Sequence, residues 1–260
     1  MKNNKSENIL YITGAGVSAE SGIPTFRGQD GYWTIGSDNY TPQEMATRHM
    51  YQSNPTEFLR WYYHRFAAYR NHGPNEVHYW LANKNLITQN IDGLDGKAGN
   101  NDYIPIHGRL DQMTLFHSQV HTQGVTAEVV DTPWDRIVDD CKNKEPENKA
   151  INRQLLELFS IEGKPELNVS YKPFVLLFDE YYTDLYRITE AQERMERADR
   201  IIFMGTSFSV NITQMALETA IALQIPIEIV DPEPVEIVYS QVTYHQMTAL
   251  QYIELQSKTL

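Results

Sequence analysis

Two glycines that follow a short apolar run have the spacing of a phosphate-binding turn. Ile9 to Thr13 is typical of a buried strand, and Gly14, Gly16 and Ala19 follow it in the pattern G-x-G-x-x-A. Glycine lets the backbone approach a pyrophosphate, and the first amides of a following helix point at its charge. Because glycines after a strand often form only a tight turn, the pattern alone is weak evidence for a dinucleotide site.

The next segment argues against an ordinary dehydrogenase. Such an enzyme would continue into a second strand ending in an acidic residue about 20 residues on, which holds the adenosine ribose. Here the chain continues as SGIPTFRG over residues 21–28, which is not a strand sequence. Hydride transfer therefore remains a distant alternative.

Other apolar runs also end in residues that can carry chemistry. Leu86 to Asn90 and Tyr103 to His107 predict buried strands with polar ends, and Ile201 to Met204 leads into Gly205. Parallel strands deliver such residues to a crevice at one edge of their sheet. We therefore expect these strand ends to form the site.

The rest of the pattern predicts the elements that position this edge. Predicted helices from Ile188 to Ala198 and near Thr213 to Leu223 alternate with strands. One of these strands is Phe174 to Phe178, and the last, Ile227 to Val230, ends at Asp231. This alternation predicts an α/β fold with a Rossmann-like, doubly wound parallel sheet.

We expect two domains, both assembled from separate segments. Residues 1–36, 84–110 and 171–260 form the Rossmann-like domain. An aromatic-rich helical module, 37–83, and an irregular insert, 111–170, form the smaller one.

Charge and cysteine content exclude several classes of protein. The formal net charge is -12, whereas general binders of nucleic acid or anionic membranes neutralise phosphates with Lys and Arg. Cys141 is the only cysteine, so no internal disulfide forms. The apolar stretch near the N-terminus, about five residues, is too short for a signal peptide or membrane span. We expect a soluble cytoplasmic protein with no nucleic-acid or membrane partner.

Four motifs, in order along the chain, resemble those of the sirtuin family. They read GAGVSAESGIPTFRG at 14–28, TQNIDGL at 88–94, IHG at 106–108 and GTS at 205–207. The first is long and highly specific. The resemblance implies an NAD-dependent protein-lysine deacylase, which cleaves nicotinamide from NAD and transfers the acyl group of an acyl-lysine protein or peptide to ADP-ribose.

The resemblance also implies a set of NAD-binding residues. They are Gly14, Ala15, Gly16, Ala19, Phe26, Arg27, Gln89, Asn90, Ile91, Asp92, Gly205, Thr206, Ser207 and Asp231. Departure of nicotinamide leaves a cationic ribose, so the site must hold the leaving carboxamide and shield the cation.

Several of these residues have distinct implied roles. Asp92 and Ile91 would hold the carboxamide, and Asn90 the ribose with a nearby water. Phe26 would cover the ribose, or only pack. Arg27 would contact the phosphates, with a surface salt bridge as the alternative.

His107 is the implied general base, acting through the ribose hydroxyls, and Asn90 and Asp92 complete the catalytic set. An imidazole that titrates near neutral pH suits this task. The alternative is a core histidine whose hydrogen bonds go to the backbone.

The cysteine content departs from the family, which usually holds a structural zinc with four cysteines in two C-x-x-C pairs. One cysteine cannot form that site. His117 and His121 with Cys141 would make a mixed site, but no fourth ligand is evident, and surface histidines are the favoured interpretation. We expect no metal and an insert held together by packing.

Two aspartates replace residues common in sirtuins. Asp95 stands where the family usually has His, and Asp231 where Asn is common. Asp231 can accept hydrogen bonds from the adenosine ribose and would repel a 2′-phosphate, which favours NAD over NADP.

The substrate-binding segment is also altered. Sirtuins usually read Phe-Gly-Glu where this chain has Phe178, Asp179 and Glu180, and a peptide pairs with this segment as an added strand. We expect the Asp179 side chain to lie where peptide backbone passes. This change motivates a runner-up, an NAD glycohydrolase or ADP-ribosyltransferase with the same site; a non-catalytic NAD or ADP-ribose sensor is a third alternative.

Tyr62 and Arg65 form a Tyr-x-x-Arg pair that resembles sirtuins selective for acidic acyl groups. Arg65 would bind the acyl carboxylate with help from the Tyr62 hydroxyl. An amphipathic packing face in an aromatic-rich helix explains the pair equally well.

Overall fold

The computed structural model describes residues 7–25, 40–119, 127–137 and 148–258. Its strands are β1 (Ile9–Thr13), β2 (Asn85–Thr88), β3 (Ile104–Pro105), β4 (Gly108–Leu115), β5 (Val129–Asp131), β6 (Tyr171–Val175), β7 (Arg200–Met204), β8 (Ile227–Val230) and β9 (Val242–His245). Its α-helices are α1 (Pro42–Met45), α2 (Arg48–Ser53), α3 (Pro55–Tyr69), α4 (Glu76–Leu81), α5 (Leu94–Lys97), α6 (Asn148–Leu158), α7 (Ile188–Glu196), α8 (Asn211–Leu223) and α9 (Ala249–Lys258). Short 3-10 helices span Ala15–Ser21, Trp134–Arg136 and Asp184–Tyr186.

The chain divides into two compact units. The first unit comprises residues 1–25, 72–106 and 187–260, and the second comprises residues 26–71 and 107–186. Both units are therefore assembled from segments that are distant in sequence.

The first unit is built on a parallel sheet with the strand order β3-β2-β1-β7-β8-β9. β1 lies at its centre, paired with β2 on one side and β7 on the other. Leu10 and Ile12 of β1 are fully buried, as the apolar run predicts. Helices connect the strands, so the predicted Rossmann-like α/β fold is confirmed. The strand order reverses between β1 and β7, which places a ligand-binding switch point there.

The second unit contains a small antiparallel sheet, β5-β4-β6, and helices α1, α2, α3 and α6. Trp134 is 2% exposed, and its indole Nε1 donates to the Leu110 carbonyl at 3.0 Å. Its ring stacks on Phe66 and contacts Phe159. Aromatic packing around Trp134 thus joins α3, β4 and the end of α6.

One predicted strand differs in position and partner. We expected residues 174–178 in the parallel sheet, but β6 ends at Val175 and pairs antiparallel with β4. An apolar run does not reveal its partner, and here the pairing partner is Gly108 to Leu115. Two segments also lie in a different unit from the one expected. Residues 171–186, expected in the Rossmann-like domain, belong to the second unit, and residues 72–83, expected in the smaller domain, belong to the first.

The last strand and helix, β9 and α9, have no counterpart in the sequence prediction. β9 is an edge strand whose residues are only half-buried or exposed, so it lacks the apolar run that marks the other strands. Within the described part of the chain, no helix is long and apolar enough to cross a membrane.

Gly108 provides a test of how β4 and β6 pack. Its φ is +80°, and a Cβ there would clash with the Phe174 carbonyl oxygen. Gly108→Ala should lower the free energy of unfolding by roughly 3 kcal/mol, measured by urea denaturation.

Gly163→Ala is the matched control for this change. Gly163 also has positive φ, +87°, but a Cβ there meets nothing within 4 Å. The difference between the two variants isolates the backbone clash, and equal losses would contradict the tight approach of β4 and β6.

Candidate active site

The predicted phosphate-binding turn lies against Gly205, at the carboxyl ends of β1 and β7. The Gly16 amide donates to the Gly205 carbonyl at 2.9 Å, and the Gly14 amide donates to Met204 at 3.1 Å. A Cβ on Gly16 would lie 2.6 Å from Gly205 Cα, and Gly205 has φ +60°. Only glycine fits this approach, so the two turns need glycine on both sides. They meet where the strand order reverses.

Asn90 and Asp92 converge on Ser18, a residue of the first motif to which the sequence prediction gave no role. The Asn90 amide donates to the Ser18 hydroxyl at 3.1 Å and to the Gly14 carbonyl at 3.1 Å. The Ser18 hydroxyl donates to the Asp92 carboxylate at 2.7 Å. Asn90 and Ser18 are buried. The structure thus brings the first and second motifs together.

Gln89 connects the second motif to the fourth. Its side-chain amide donates to the Thr13 carbonyl at 3.0 Å and to the Thr206 hydroxyl at 3.1 Å. Gln89 and Thr206 are both buried. These bonds fix the ends of β1, β2 and β7 relative to one another.

The other predicted cofactor residues line the same region less closely. Ala15 is half-buried and Ala19 exposed in the 3-10 helix, and Ile91 is half-buried. The Ser207 hydroxyl lies 2.6 Å from that of Ser209. Asp231 follows β8 and accepts a hydrogen bond from the Glu233 amide at 2.9 Å.

His78 belongs to this cluster and was not found from sequence. It is fully buried, and the Asn75 amide donates to its Nδ1 at 3.2 Å. Asn75 Oδ1 also lies 3.0 Å from Nδ1, and Nε2 faces the Ser18 hydroxyl at 3.4 Å. Burial lowers the His78 pKa, which favours the neutral ring. The one sequence signal was Asn75, an N-cap residue three positions earlier.

His107 lies in the second unit, half-buried at the start of β4. Its Nε2 is 2.8 Å from the Tyr182 hydroxyl. Its carbonyl accepts from the Leu176 amide at 3.0 Å, a bond that joins the residue before β4 to the residue after β6.

Asp179 and Glu180 are held by other residues of the second unit. The Asp179 carboxylate accepts from the Arg48 amide at 2.6 Å and the His49 amide at 3.0 Å, the first amides of α2. Glu180 accepts from Lys172 Nζ at 3.0 Å and from Arg48 Nη1 at 3.2 Å. Burial lowers the Lys172 pKa, while the Glu180 charge opposes this. Phe178 is 52% exposed, and its backbone amide donates to the Ala46 carbonyl at 2.9 Å.

Tyr62 and Arg65 are both buried in α3, 2% and 5% exposed. The guanidinium carbon of Arg65 lies 3.3 Å from the Trp61 ring centroid, and Nη1 donates to the Trp61 carbonyl at 3.2 Å. The Tyr62 ring packs against Phe58 and Trp61. The packing face predicted as the alternative is therefore present.

A cavity of about 600 Å³ lies at the opposite end of the first unit's sheet. Its lining includes Asn8, Asn85 and Arg194, at the amino ends of β1 and β2. Parallel sheets bind ligands at their carboxyl ends, so the strand ends at Gly14 and Asn90 remain the candidate site.

Comparison with known proteins identifies the family. The sequence model of the Sir2 family matches residues 14–212. The chain belongs to the Sir2 family. This confirms the resemblance to sirtuins inferred from the four motifs.

Individual Sir2 proteins resemble the chain over most of its length. NAD-dependent protein deacylase 1 of Caldanaerobacter subterraneus subsp. tengcongensis is 32% identical, covering 79% of this chain and 74% of the relative. The Danio rerio protein named NAD-dependent protein deacylase sirtuin-5, mitochondrial is 30% identical, covering 78% and 67%. A crystal structure of a Sir2 homolog–NAD complex has 26% identity and a TM-score of 0.70, covering 98% of this chain and 90% of that one.

Four residues weighed in the sequence prediction lie outside the described residues of this Sir2 protein: Phe26, Arg27, His121 and Cys141. A single cysteine does not fit the family's four-cysteine zinc site. Among the residues that the structure describes, no group of His, Cys, Asp and Glu is arranged to hold a metal ion.

The expectation that His117 is a surface histidine is wrong. It is 5% exposed, and its Nδ1 lies 2.9 Å from the Leu115 carbonyl. Burial lowers the His117 pKa, so the ring is held neutral and donates through Nδ1. Arg48 also donates to the His117 carbonyl.

Asp95, which replaces the usual sirtuin His, is 1% exposed at the start of α5. Its Oδ1 has no hydrogen-bond partner among the described residues. Burial, and secondly the Asp92 charge, raise the Asp95 pKa to about 7, although a hydrogen bond with Thr88 opposes the shift. A carboxyl group that titrates near neutral pH therefore lies beside Asp92.

Asp95→Asn should weaken the pH dependence of stability between about pH 4 and pH 7. The folded-state pKa is above the ordinary 3.8, so the folded protein binds this proton more tightly than the unfolded chain, and its stability falls as pH rises through 7. Asparagine removes this linkage. At pH 8 the variant should melt on the order of 5 °C above wild type, with a smaller difference at pH 5. Asp135→Asn, at an exposed position, is the control, and identical pH profiles of the Asp95 variant and wild type would contradict the raised pKa.

Proposed function

We propose that this chain is an NAD-dependent protein-lysine deacylase of the Sir2 family. The observation that carries the proposal is the cluster of Asn90, Ser18 and Asp92 beside the Gly16–Gly205 approach. A site that only bound a dinucleotide would need the glycine turns but not these polar groups. NAD is the cosubstrate, and it supplies a ribose carbon that becomes electrophilic as its bond to nicotinamide breaks.

The glycine turns would hold the dinucleotide phosphates and adenosine. Gly14, Ala15, Gly16 and Ala19 would provide the close backbone approach of the first turn, and Gly205, Thr206 and Ser207 would bind the adenosine half. The steric requirement for glycine at Gly16 and Gly205 supports this assignment, because a side chain on either would close the approach. Gln89 would keep the turns in register.

Three further residues extend this assignment. Asp231 would accept hydrogen bonds from the adenosine ribose and repel a 2′-phosphate, so NAD is preferred over NADP. Arg27 would contact the phosphates and Phe26 would cover the ribose.

Asp92 and Ile91 would bind the nicotinamide carboxamide. The Asp92 carboxylate already accepts from Ser18 at 2.7 Å and from the Leu94 amide at 2.9 Å, which keeps its orientation fixed. A preoriented carboxylate needs no reorganisation when the leaving amide develops new hydrogen bonds. Asn90, held by Gly14 and Ser18, would orient the ribose and a water molecule.

His107 would act as general base on the ribose hydroxyls. An imidazole accepts a proton near neutral pH, which matches this task. Its Nε2 lies 2.8 Å from the Tyr182 hydroxyl, and a ribose hydroxyl would replace this partner when NAD binds.

Peptide binding would use the backbone around Phe178 to Glu180. The Asp179 side chain was the main objection to peptide deacylation, but the α2 amides bind its carboxylate. The acidic side chain is thereby oriented toward α2, and the objection is weaker. Acidic-acyl selectivity would come from Tyr62 and Arg65, with the guanidinium binding the acyl carboxylate and the Tyr62 hydroxyl assisting.

The second candidate is an NAD glycohydrolase or ADP-ribosyltransferase with the same site. The bond from the Phe178 backbone amide to the Ala46 carbonyl, at 2.9 Å, favours it, since an added peptide strand pairs through backbone groups of this segment. We also propose a cytoplasmic location, because a single cysteine forms no internal disulfide, and no nucleic-acid or membrane partners, on the net charge of -12.

Product analysis tests the proposed function. Purified protein is incubated with NAD and acetyl-, succinyl- and long-chain-acyl-lysine peptides, and products are identified by mass spectrometry. Deacylated peptide with equimolar O-acyl-ADP-ribose is the expected result, and the reacting peptide names the acyl group. If nicotinamide and ADP-ribose form while every peptide stays intact, the protein hydrolyses NAD and the deacylase proposal is wrong.

His107→Ala should reduce acyl transfer by at least about 10²-fold, because the general base is lost. NAD binding, measured by calorimetry, should persist because the glycine turns are unchanged. His49→Ala, at an exposed position, is the control with normal turnover. Deacylation by the His107 variant at the wild-type rate would remove His107 from the mechanism.

A further inference from the structure

Tyr182 makes a specific contact with the proposed general base. Its hydroxyl lies 2.8 Å from His107 Nε2. The two rings are close to parallel, with centroids 5.9 Å apart and an interplanar angle of 27°. Both residues belong to the second unit and both are half-buried. The contact therefore constrains both the ring plane and the nitrogen of His107.

The segment that carries Tyr182 is anchored on both sides. Before it, Glu180 is bound by Lys172 and Arg48, and the Tyr181 amide donates to Gln119 at 2.9 Å. After it, Thr183 is 2% exposed, and its carbonyl accepts from the Tyr186 amide at 2.9 Å. The phenol is thus presented by a fixed backbone.

His107 is fixed from its own side by the pairing of β4 and β6. Its carbonyl accepts from Leu176, and Gly108 next to it packs against Phe174. The His107 backbone is set by this small sheet and the Tyr182 backbone by the contacts of its neighbours, so the 2.8 Å contact follows from the fold of the second unit.

The chemistry of the contact selects one form of the imidazole. A neutral histidine has one protonated and one basic nitrogen, and the partner of each determines which is which. A phenol hydroxyl is a good donor at neutral pH because its ordinary pKa is about 10. Donation to Nε2 favours the tautomer with the proton on Nδ1. Nε2 is then the nitrogen that can accept a proton.

We propose that Tyr182 is a positioning residue that holds His107 in the tautomer and orientation required of a general base. This rests on the proposed function, in which His107 accepts a proton from a ribose hydroxyl. Tyr182 donates to Nε2 before NAD arrives, and the ribose hydroxyl then takes the place of the phenol. No covalent step involves Tyr182.

Tyr182→Phe removes only the hydroxyl and keeps the ring that stacks on His107. We expect kcat/KM for NAD near neutral pH to fall roughly tenfold, less than for loss of the general base itself, because the bond to Nε2 is made in the enzyme before NAD binds. The ascending limb of the pH profile of kcat/KM should move to higher pH, because a hydrogen bond that stabilises the neutral imidazole is lost. A merely structural role for Tyr182 would lower activity without moving this limb.

Tyr181→Phe is the matched control. Tyr181 is the adjacent tyrosine, is 66% exposed, and loses the same atom on substitution. Its turnover and pH profile should equal those of wild type. Equal kcat/KM and pH profiles for the Tyr182 variant and wild type would overturn the proposal.

A measurement without catalysis separates this proposal from the proposed function. Two-bond ¹⁵N–¹H correlation spectra of histidine-labelled protein report the tautomer, with the His107 signal assigned from the His107→Gln variant. We expect the Nδ1–H form in wild type and a shift toward Nε2–H in Tyr182→Phe. If the tautomer shifts but no peptide is deacylated, the contact stands and the proposed function fails. If peptides are deacylated and neither tautomer nor pH profile changes, only the role of Tyr182 fails.

Discussion

The close approach of Gly16 to Gly205 is the constraint on which the first unit's site depends. It joins the ends of β1 and β7 with backbone atoms where a single Cβ would lie 2.6 Å from a neighbouring Cα. The approach leaves two turns side by side where the strand order reverses. Asn90 bonds to one turn, at Gly14, and Gln89 bonds to Thr206 beside the other. The polar cluster is therefore built onto the glycine contact, so a side chain at Gly16 or Gly205 would disturb the cluster as well as the turns.

A buried ion pair plays the corresponding part in the second unit. Lys172 and Glu180 have fully buried side chains, and Lys172 also donates to the Val175 carbonyl and the Tyr186 hydroxyl. Removing the Glu180 charge would leave the Lys172 charge buried without its ion-pair partner, which is strongly destabilising. The pair fixes the segment from Leu177 to Tyr186, and with it the position of Tyr182. Aromatic packing around Trp134 also stabilises this unit.

Much of the fold follows from local sequence pattern. β1 and β8 have the bounds that their apolar runs predict, because buried parallel strands are apolar on both faces. The partner of an apolar run is not a local property, so β6 was assigned to the wrong sheet. The four motifs identified most of the candidate site. His78 was missed because one histidine in a helix carries no signal until the fold places Ser18 beside it. The use of Asp179 as a helix cap depends on α2, which lies 131 positions away in sequence.

Hydrogen–deuterium exchange with and without NAD is the most direct test of the central claim, that the paired glycine turns bind the dinucleotide. The account predicts slower exchange in peptides covering residues 9–25 and 200–212, where the amides would meet the phosphates. Peptides covering the exposed strand β9 should be unchanged. Saturating NAD that protects neither turn, or that protects only the cavity at the amino ends of β1 and β2, would contradict the account.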